Sequence, residues 1–377
     1  MSRQGEGMAA FQSSMAEALR LVRAGRIGQA TVLLRSTIGM GPAMPQAPQP
    51  EPHAAPAPPP GEAGDVIDLE PHHVSYAPPR APETEPAPRH AAEPEAVPSF
   101  EERLHKGRSG VLAYRLYRPA GATAGMPLVV MLHGCTQSPE DFAAGTGMNA
   151  LADELGFLVA YPRQTQAANA QKCWNWFNPG DQQRDRGEPA LIAGLTREIL
   201  AKEGADPDRV YVAGLSAGGA AAAIMAATYP DLYAAVGIHS GLACGAARDL
   251  PSALMAMKRG GGGMKAGGQP FVPLISFHGD RDMVVHEVNA GEIVAAATAA
   301  AGTPLEVRHE TGVSPSGRRY RRDLSRDAEG RTVIERWTLA GAGHAWSGGD
   351  AAGSYTDPAG PDASREMLRF FLQHRKP

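Results

Sequence analysis

Val210-Tyr211-Val212-Ala213-Gly214-Leu215-Ser216-Ala217-Gly218-Gly219 is the stretch on which the fold turns. It opens with a short, continuous apolar run, as a strand buried on both faces would. It closes on small residues that continue to Thr228, a composition that favours helix. A strand turning at once into a helix exposes the Ser216 hydroxyl at the C-terminal edge of a sheet. Such a bend has no room for side chains at its flanks, hence glycine at 214 and 218. The new helix also points backbone N–H groups at any charge that develops there. A bare G-x-S-x-G arises often by chance, and a merely tight turn is the alternative. In this strand–turn–helix setting Ser216 reads as a nucleophile.

Working outward, the pattern repeats. Val111–Arg118 alternates like an edge strand, and Leu128–Leu132 is a second continuous apolar run. A helical stretch at Asp141–Leu155 precedes a strand at Phe157–Tyr161, and a helix at Ala190–Lys202 leads into Val210. Beyond Thr228 come a strand at Ala234–His239, a strand at Phe271–Phe277, a helix at Val288–Ala300 and a strand at Leu305–His309. A hairpin (Arg318–Leu324 with Thr332–Leu339) and a helix at Ala363–His374 close the chain. Repeated β-then-α units with buried strands predict an α/β fold, a doubly wound, mostly parallel sheet with helices on both faces.

Of 33 prolines in 377 residues, 17 fall between Gly41 and Pro98. This divides the chain into a head (1–40), a Pro/Ala/Glu-rich linker (41–98) expected to be disordered, and a body (99–377). The head shows two helical periods, Phe11, Met15, Leu19 and Val22, then Ile27, Ala30, Leu34 and Ile38. Residues 11–38 thus form a candidate docking hairpin for a hydrophobic granule or a protein partner, against packing on the chain's own body. The body carries 29 basic and 29 acidic residues, which provides no basic field for nucleic acid. No apolar window reaches the length of a membrane span. The N-terminus has no signal-like apolar stretch, which points to the cytoplasm, with export the alternative.

A serine nucleophile needs a base. His344 lies in a glycine-bearing loop after the last predicted strand, where a sheet would deliver a mobile imidazole; His239 and His278, each closing a buried strand, compete. The orienting acid should lie between serine and histidine. His278-Gly279-Asp280-Arg281-Asp282 offers two aspartates, of which Asp282 is preferred because it reaches past the turn, with Asp280 the runner-up. Two N–H donors must face the oxyanion. Ala217 supplies one, and Cys135, after the buried strand and Gly134, supplies the other.

With these residues in place the body resembles the poly(3-hydroxybutyrate) depolymerase-family esterases of the α/β-hydrolase superfamily. The resemblance runs from about Gly110 onward. It is carried by H-G-C-T-Q (His133–Gln137), A-Y-P (Ala160–Pro162), C-W-N-W-F (Cys173–Phe177), G-L-S-A-G-G (Gly214–Gly219), H-G-D-R-D (His278–Asp282) and G-x-G-H-A-W-S-G-G (Gly341–Gly349). It implies a triad of Ser216, Asp282 and His344, with Cys135 and Ala217 at the oxyanion positions. It also brings in the carbohydrate esterases that cleave feruloyl or acetyl groups. Secreted polymer-degrading members carry an export signal and a substrate-binding module that are not seen here, so a small or oligomeric hydroxyalkanoate ester is the expected substrate.

Trp174 and Trp346 are candidate walls of an acyl pocket, with ordinary core packing the alternative. Cys135 and Cys173 both lie in the shared motifs, and whether they pair stays open, since a cytosolic location would keep them as thiols. The arginines of 318–322 read as a solvated face, because acids accompany them. No HExxH, zinc-spaced Cys/His cluster or GxxxxGK[ST] occurs, so no cofactor or metal is expected. Two other readings are a non-catalytic granule- or partner-binding protein and a peptidase on the same fold.

Overall fold

The structure is a computed structural model that describes residues 97–263 and 271–376. The expectations for the head and nearly all of the linker fall outside those residues.

Ten strands form one sheet, in the order β1-β2-β4-β3-β5-β6-β7-β10-β9-β8. Its centre is β3 (Leu128–Leu132), β4 (Leu158–Pro162), β5 (Val210–Leu215), β6 (Ala235–His239) and β7 (Leu274–Gly279), all buried along their length. They pair in parallel, and β7 continues in parallel to β10 (Thr332–Leu339). Antiparallel strands flank this block: β1 (Ser99–Gly107) and β2 (Gly110–Arg118) on one side, β9 (Arg319–Arg326) and β8 (Glu306–Val313) on the other. A short parallel pair, β11 (Trp346–Ser347) with β12 (Thr356–Asp357), stands apart.

Strand alternation divides the core into two layers. Leu128, Val130 and Leu132 of β3 face one cluster with Val210 and Val212 of β5; Val129 and Met131 face the other with Tyr211 and Ala213. Residues of α3 (Gly187–Glu203), α4 (Ala217–Thr228), α5 (Leu250–Arg259) and α6 (Val288–Ala301) cover the first layer. The second is covered by α1 (Pro139–Thr146), α2 (Met148–Leu155) and α7 (Ala363–Phe371). This is the doubly wound α/β-hydrolase architecture.

Three local features depart from the expectations. The helix at Asp141–Leu155 is two helices, because Gly147 adopts a left-handed φ of 62° and its N–H returns to the Ala143 carbonyl. Strand β1 is largely exposed and charged, and so carries little hydrophobic signal. Helix α5 had a readable start: Asp249 accepts from the Ser252 N–H in a capping box, with Pro251 in the first turn. The arginines of the hairpin pair with acids, Arg318 with Asp357, Arg321 with Asp323 and Arg322 with Glu310.

Candidate active site

The end of β5 supplies Ser216. Its backbone sits at φ 57° and ψ −119°, a region that costs a non-glycine residue roughly 1–3 kcal/mol. The strain persists because the turn is clamped. The Ser216 N–H donates to the His239 carbonyl at 2.9 Å, and the Ser216 carbonyl accepts from Ala220. A Cβ on Gly218 would lie 2.0 Å from the Leu132 carbonyl oxygen, and one on Gly214 would lie 2.3 Å from Gly218. The glycines therefore let the elbow press onto the end of β3, and Ser216 remains partly exposed.

His344 and Asp282 meet across 62 residues of chain, Nδ1 to Oδ2 at 2.6 Å. Asp282 is buried, and its other oxygen accepts from the Val284 and Val285 N–H groups at 2.9 and 2.8 Å. Burial pushes this carboxyl up, but the His344 hydrogen bond, the His344 charge and the Val285 amide hold it below the usual carboxylate range. Asp280 does not touch His344. It is exposed and accepts from the Gly341 N–H at 2.6 Å, steadying the loop that carries the histidine.

The competing histidines are core groups. His239 stacks on Phe277 and Trp346, and its Nε2 accepts from the Ser347 N–H at 3.0 Å. Burial lowers its pKa to about 3, so the ring stays neutral. His239 also ties two parts of the site together, through its carbonyl to Ser216 and through its ring to the loop three residues past His344. His278 donates from Nε2 to the Val285 carbonyl at 2.8 Å, so it steadies the turn that holds Asp282.

The end of β3 carries Cys135. Cys135 and Cys173 form a disulfide, which resolves the pairing left open by the sequence. The Gly134 carbonyl accepts from His133 Nδ1 at 2.8 Å and from the Gln137 N–H. A trans peptide points its N–H opposite its C=O, so the Cys135 N–H is turned away from these donors. Ala217 begins α4.

Trp174 and Trp346 are packed in the core. Both are about fully buried, at 0% and 1% exposure. Trp174 donates its indole N–H to the His133 carbonyl, and Trp346 donates to Ser364 Oγ while packing on Phe142 and His239. Neither ring offers a face to a ligand. A buried indole needs a partner for its N–H, and here both partners lie within the protein. Among the described residues, no group of three or more His, Cys, Asp or Glu is placed to hold a metal. No helix there is long and apolar enough to cross a membrane.

The structure gives Gln137 of the H-G-C-T-Q motif its partners, joining the Gly134 N–H to Asp141 and the Ser354 carbonyl, and adds Tyr355, which sequence reading missed and whose hydroxyl meets Thr136 Oγ1 at 3.1 Å. The ties to Ser354 and Tyr355 reach 217 and 219 residues along the chain, so no local pattern marks Tyr355.

Comparison with known proteins bears on the family and the fold. The family described as "Esterase PHB depolymerase" matches residues 112–322. Poly(3-hydroxyalkanoate) depolymerase C of Paucimonas lemoignei is 34% identical over 238 residues, 60% of this chain and 56% of that protein. Feruloyl esterase B of Thermothelomyces thermophilus is 34% identical over 139 residues, 37% of this chain and 47% of that protein. The chain thus spans about half the length of these curated relatives. Among solved structures, the acetyl xylan esterase from Aspergillus awamori superposes with a TM-score of 0.58 at 19% identity, over 73% of this chain and 99% of that one, a likeness of fold. With the family signature covering more than half of its length, the chain belongs to the PHB depolymerase family of esterases.

Proposed function

We propose that this chain is a serine carboxylesterase that cleaves short-chain hydroxyalkanoate esters, of the poly- or oligo-3-hydroxybutyrate type, through an acyl-enzyme. The observation that carries this reading is the 2.6 Å bond from His344 to Asp282, on a loop that His239 ties to the strained Ser216 turn. With Nδ1 held by Asp282, His344 presents Nε2 as the atom that takes the Ser216 proton. The Ser216 oxygen adds to the ester carbonyl, and the oxyanion is met by the Cys135 and Ala217 N–H groups. His344 then protonates the leaving alcohol, and water repeats the sequence on the acyl-enzyme.

The hydroxyalkanoate substrate is supported by the longest matching segment among the relatives described, that to the Paucimonas depolymerase. The amphipathic spacing of residues 11–38 supports a docking role for the head on a hydrophobic granule. Removing residues 1–98 should leave turnover of a soluble ester unchanged and abolish association with amorphous poly(3-hydroxybutyrate) granules.

The test of the activity is a panel of 3-hydroxybutyrate oligomers, p-nitrophenyl acyl esters, methyl ferulate and acetylated xylan, with the parent against Ser216→Ala. Turnover should be highest on the hydroxybutyrate oligomers and fall by about 10^4-fold or more in the variant. Preference for ferulate or acetylxylan would move the substrate to carbohydrate esters. Turnover that survives Ser216→Ala would remove the serine mechanism.

A further inference from the structure

The oxyanion loop at the end of β3 is held by one segment of chain. The Gln164 N–H donates to His133 Nε2 at 3.1 Å, and the Trp174 indole N–H to the His133 carbonyl at 3.1 Å. The Thr136 N–H donates to the Gln171 carbonyl at 2.6 Å, and Cys173 is bonded to Cys135. Four ties therefore run from residues 164–174 to residues 133–136. This segment has no regular secondary structure of its own, so something else must hold it in place.

That something is Glu188, in the first turn of α3. Its Oε1 accepts from Gln164 Nε2 at 2.5 Å and from Asn175 Nδ2 at 2.6 Å, and its Oε2 accepts from the Asn175 N–H at 2.8 Å. One carboxylate thus fastens both ends of the clamping segment. Asn175 passes the constraint inward, because its Oδ1 accepts from Asn169 Nδ2. Asn169 Oδ1 in turn accepts from the N–H groups of Gln171 and Cys173.

We propose that Glu188 is a positioning residue for the oxyanion amide, acting through Gln164 and Asn175 on His133 and so on the Gly134–Cys135 peptide. The proposal rests on the esterase reading given above. His133 is the link that converts packing into aim. Its Nε2 accepts from the Gln164 N–H, so the ring proton sits on Nδ1 and donates to the Gly134 carbonyl. Burial lowers the His133 pKa to about 4, which keeps the ring in that neutral form. Rotation of the ring would release the Gly134 carbonyl and let the Cys135 N–H swing off the oxyanion.

The chemistry of Glu188 favours this role over a purely structural one. The hydrogen-bond donors it takes are neutral amides, and burial together with the nearby Asp181 raises its pKa to about 7. A carboxyl group raised in this way is a cost to folding at neutral pH rather than a gain. Three converging N–H donors nonetheless need an acceptor-only group with two oxygens. Glutamine has one acceptor oxygen and turns an NH2 toward a donor, so it loses at least one bond.

Glu188→Gln should lower kcat for p-nitrophenyl butyrate by about 10- to 100-fold, part of what losing an oxyanion donor outright costs. KM should stay within about twofold, and the thermal midpoint should not fall, since the charge cost is removed. Gln164→Met, which keeps the backbone N–H to His133 but not the side-chain ties, should reproduce the kcat loss. The double variant should lose no more than the worse single one. A kcat within about twofold of the parent in both variants would overturn the proposal. So would a kcat loss matched by a large drop in thermal midpoint, which would make Glu188 a stability residue. If Glu188→Gln does not fold, Gln164→Met decides by the same criteria. Parent activity that survives Ser216→Ala would instead strike the serine mechanism on which the proposal depends.

Discussion

Asp282 differs from Asp280 by two positions, and the structure separates them by burial. Asp282 lies inside the protein with three hydrogen bonds to its carboxylate, while Asp280 is exposed and holds only the Gly341 amide. Asp282→Asn would keep the shape but present a donor or a weaker acceptor to His344, and so favour the wrong tautomer. Steady-state kinetics should show kcat reduced by about 10^3- to 10^4-fold with the fold retained, whereas Asp280→Asn should retain most of the activity. The glycines can be sorted in the same way. At Gly218 a methyl group would sit 2.0 Å from a backbone oxygen that cannot move aside, whereas at Gly343, one residue before His344, it would meet nothing within 4 Å. Urea denaturation should find Gly218→Ala destabilised by about 2 kcal/mol or more, the range for overpacking, and Gly343→Ala nearly neutral.

At the scale of elements, the site is an agreement between loops that leave the same sheet edge. The Cys135–Cys173 bond closes a loop with a sequence separation of 38 and joins the ends of two such connections. Chain-entropy reasoning assigns a loop of that size about 4 kcal/mol, as an upper guide. Thiol titration of the purified protein in denaturant should therefore find one reactive thiol, that of Cys244, before reduction and three after it. Reduction under native conditions should slow ester turnover, because one of the four ties on the oxyanion loop is lost. A count of three before reduction would show that the bond is not formed. Elsewhere, buried Glu335 accepts from Arg369 of α7 and from the Trp337 indole on β10, so the last helix is fastened to the sheet by charge as well as by its apolar face.

For the whole molecule, buried histidines set the response to acid. Burial holds His133 and His374 at about 4 and His239 at about 3, against an ordinary value of 6.5. Between pH 6.5 and 4 the unfolded chain binds a proton at each of these sites while the folded chain does not, so stability falls as pH falls. Each contributes a slope of at most about 1.4 kcal/mol per pH unit. Glu188 works in the opposite sense: raised to about 7, it is protonated in the folded state between pH 7 and 4.5, before it would be in the unfolded chain. Three groups outweigh one, so the urea midpoint should drop steadily from pH 7 to pH 5. A midpoint that stays level over that range would contradict the neutral, buried state of these rings.

Much of this was legible locally. The buried strands β3 and β5, the elbow at Ser216, the order of serine, acid and base, and the small residues that open α4 are patterns within a dozen residues. An apolar run or a glycine pair carries its meaning wherever the chain goes next. The family resemblance rests on the same short motifs, and residues 112–322 match it. What sequence could not reach depends on which distant segments touch. The bonding of Cys135 to Cys173 and the burial of Trp174 and Trp346 each follow from contacts between segments far apart in the chain. Glu188 is the clearest case. In sequence it is an ordinary acidic residue in the first turn of a helix, and only packing brings it against Gln164 and Asn175. Local composition therefore determined the elements and the chemistry of the nucleophile. Tertiary structure decided its partners, because a hydrogen bond depends on distance in space and not along the chain.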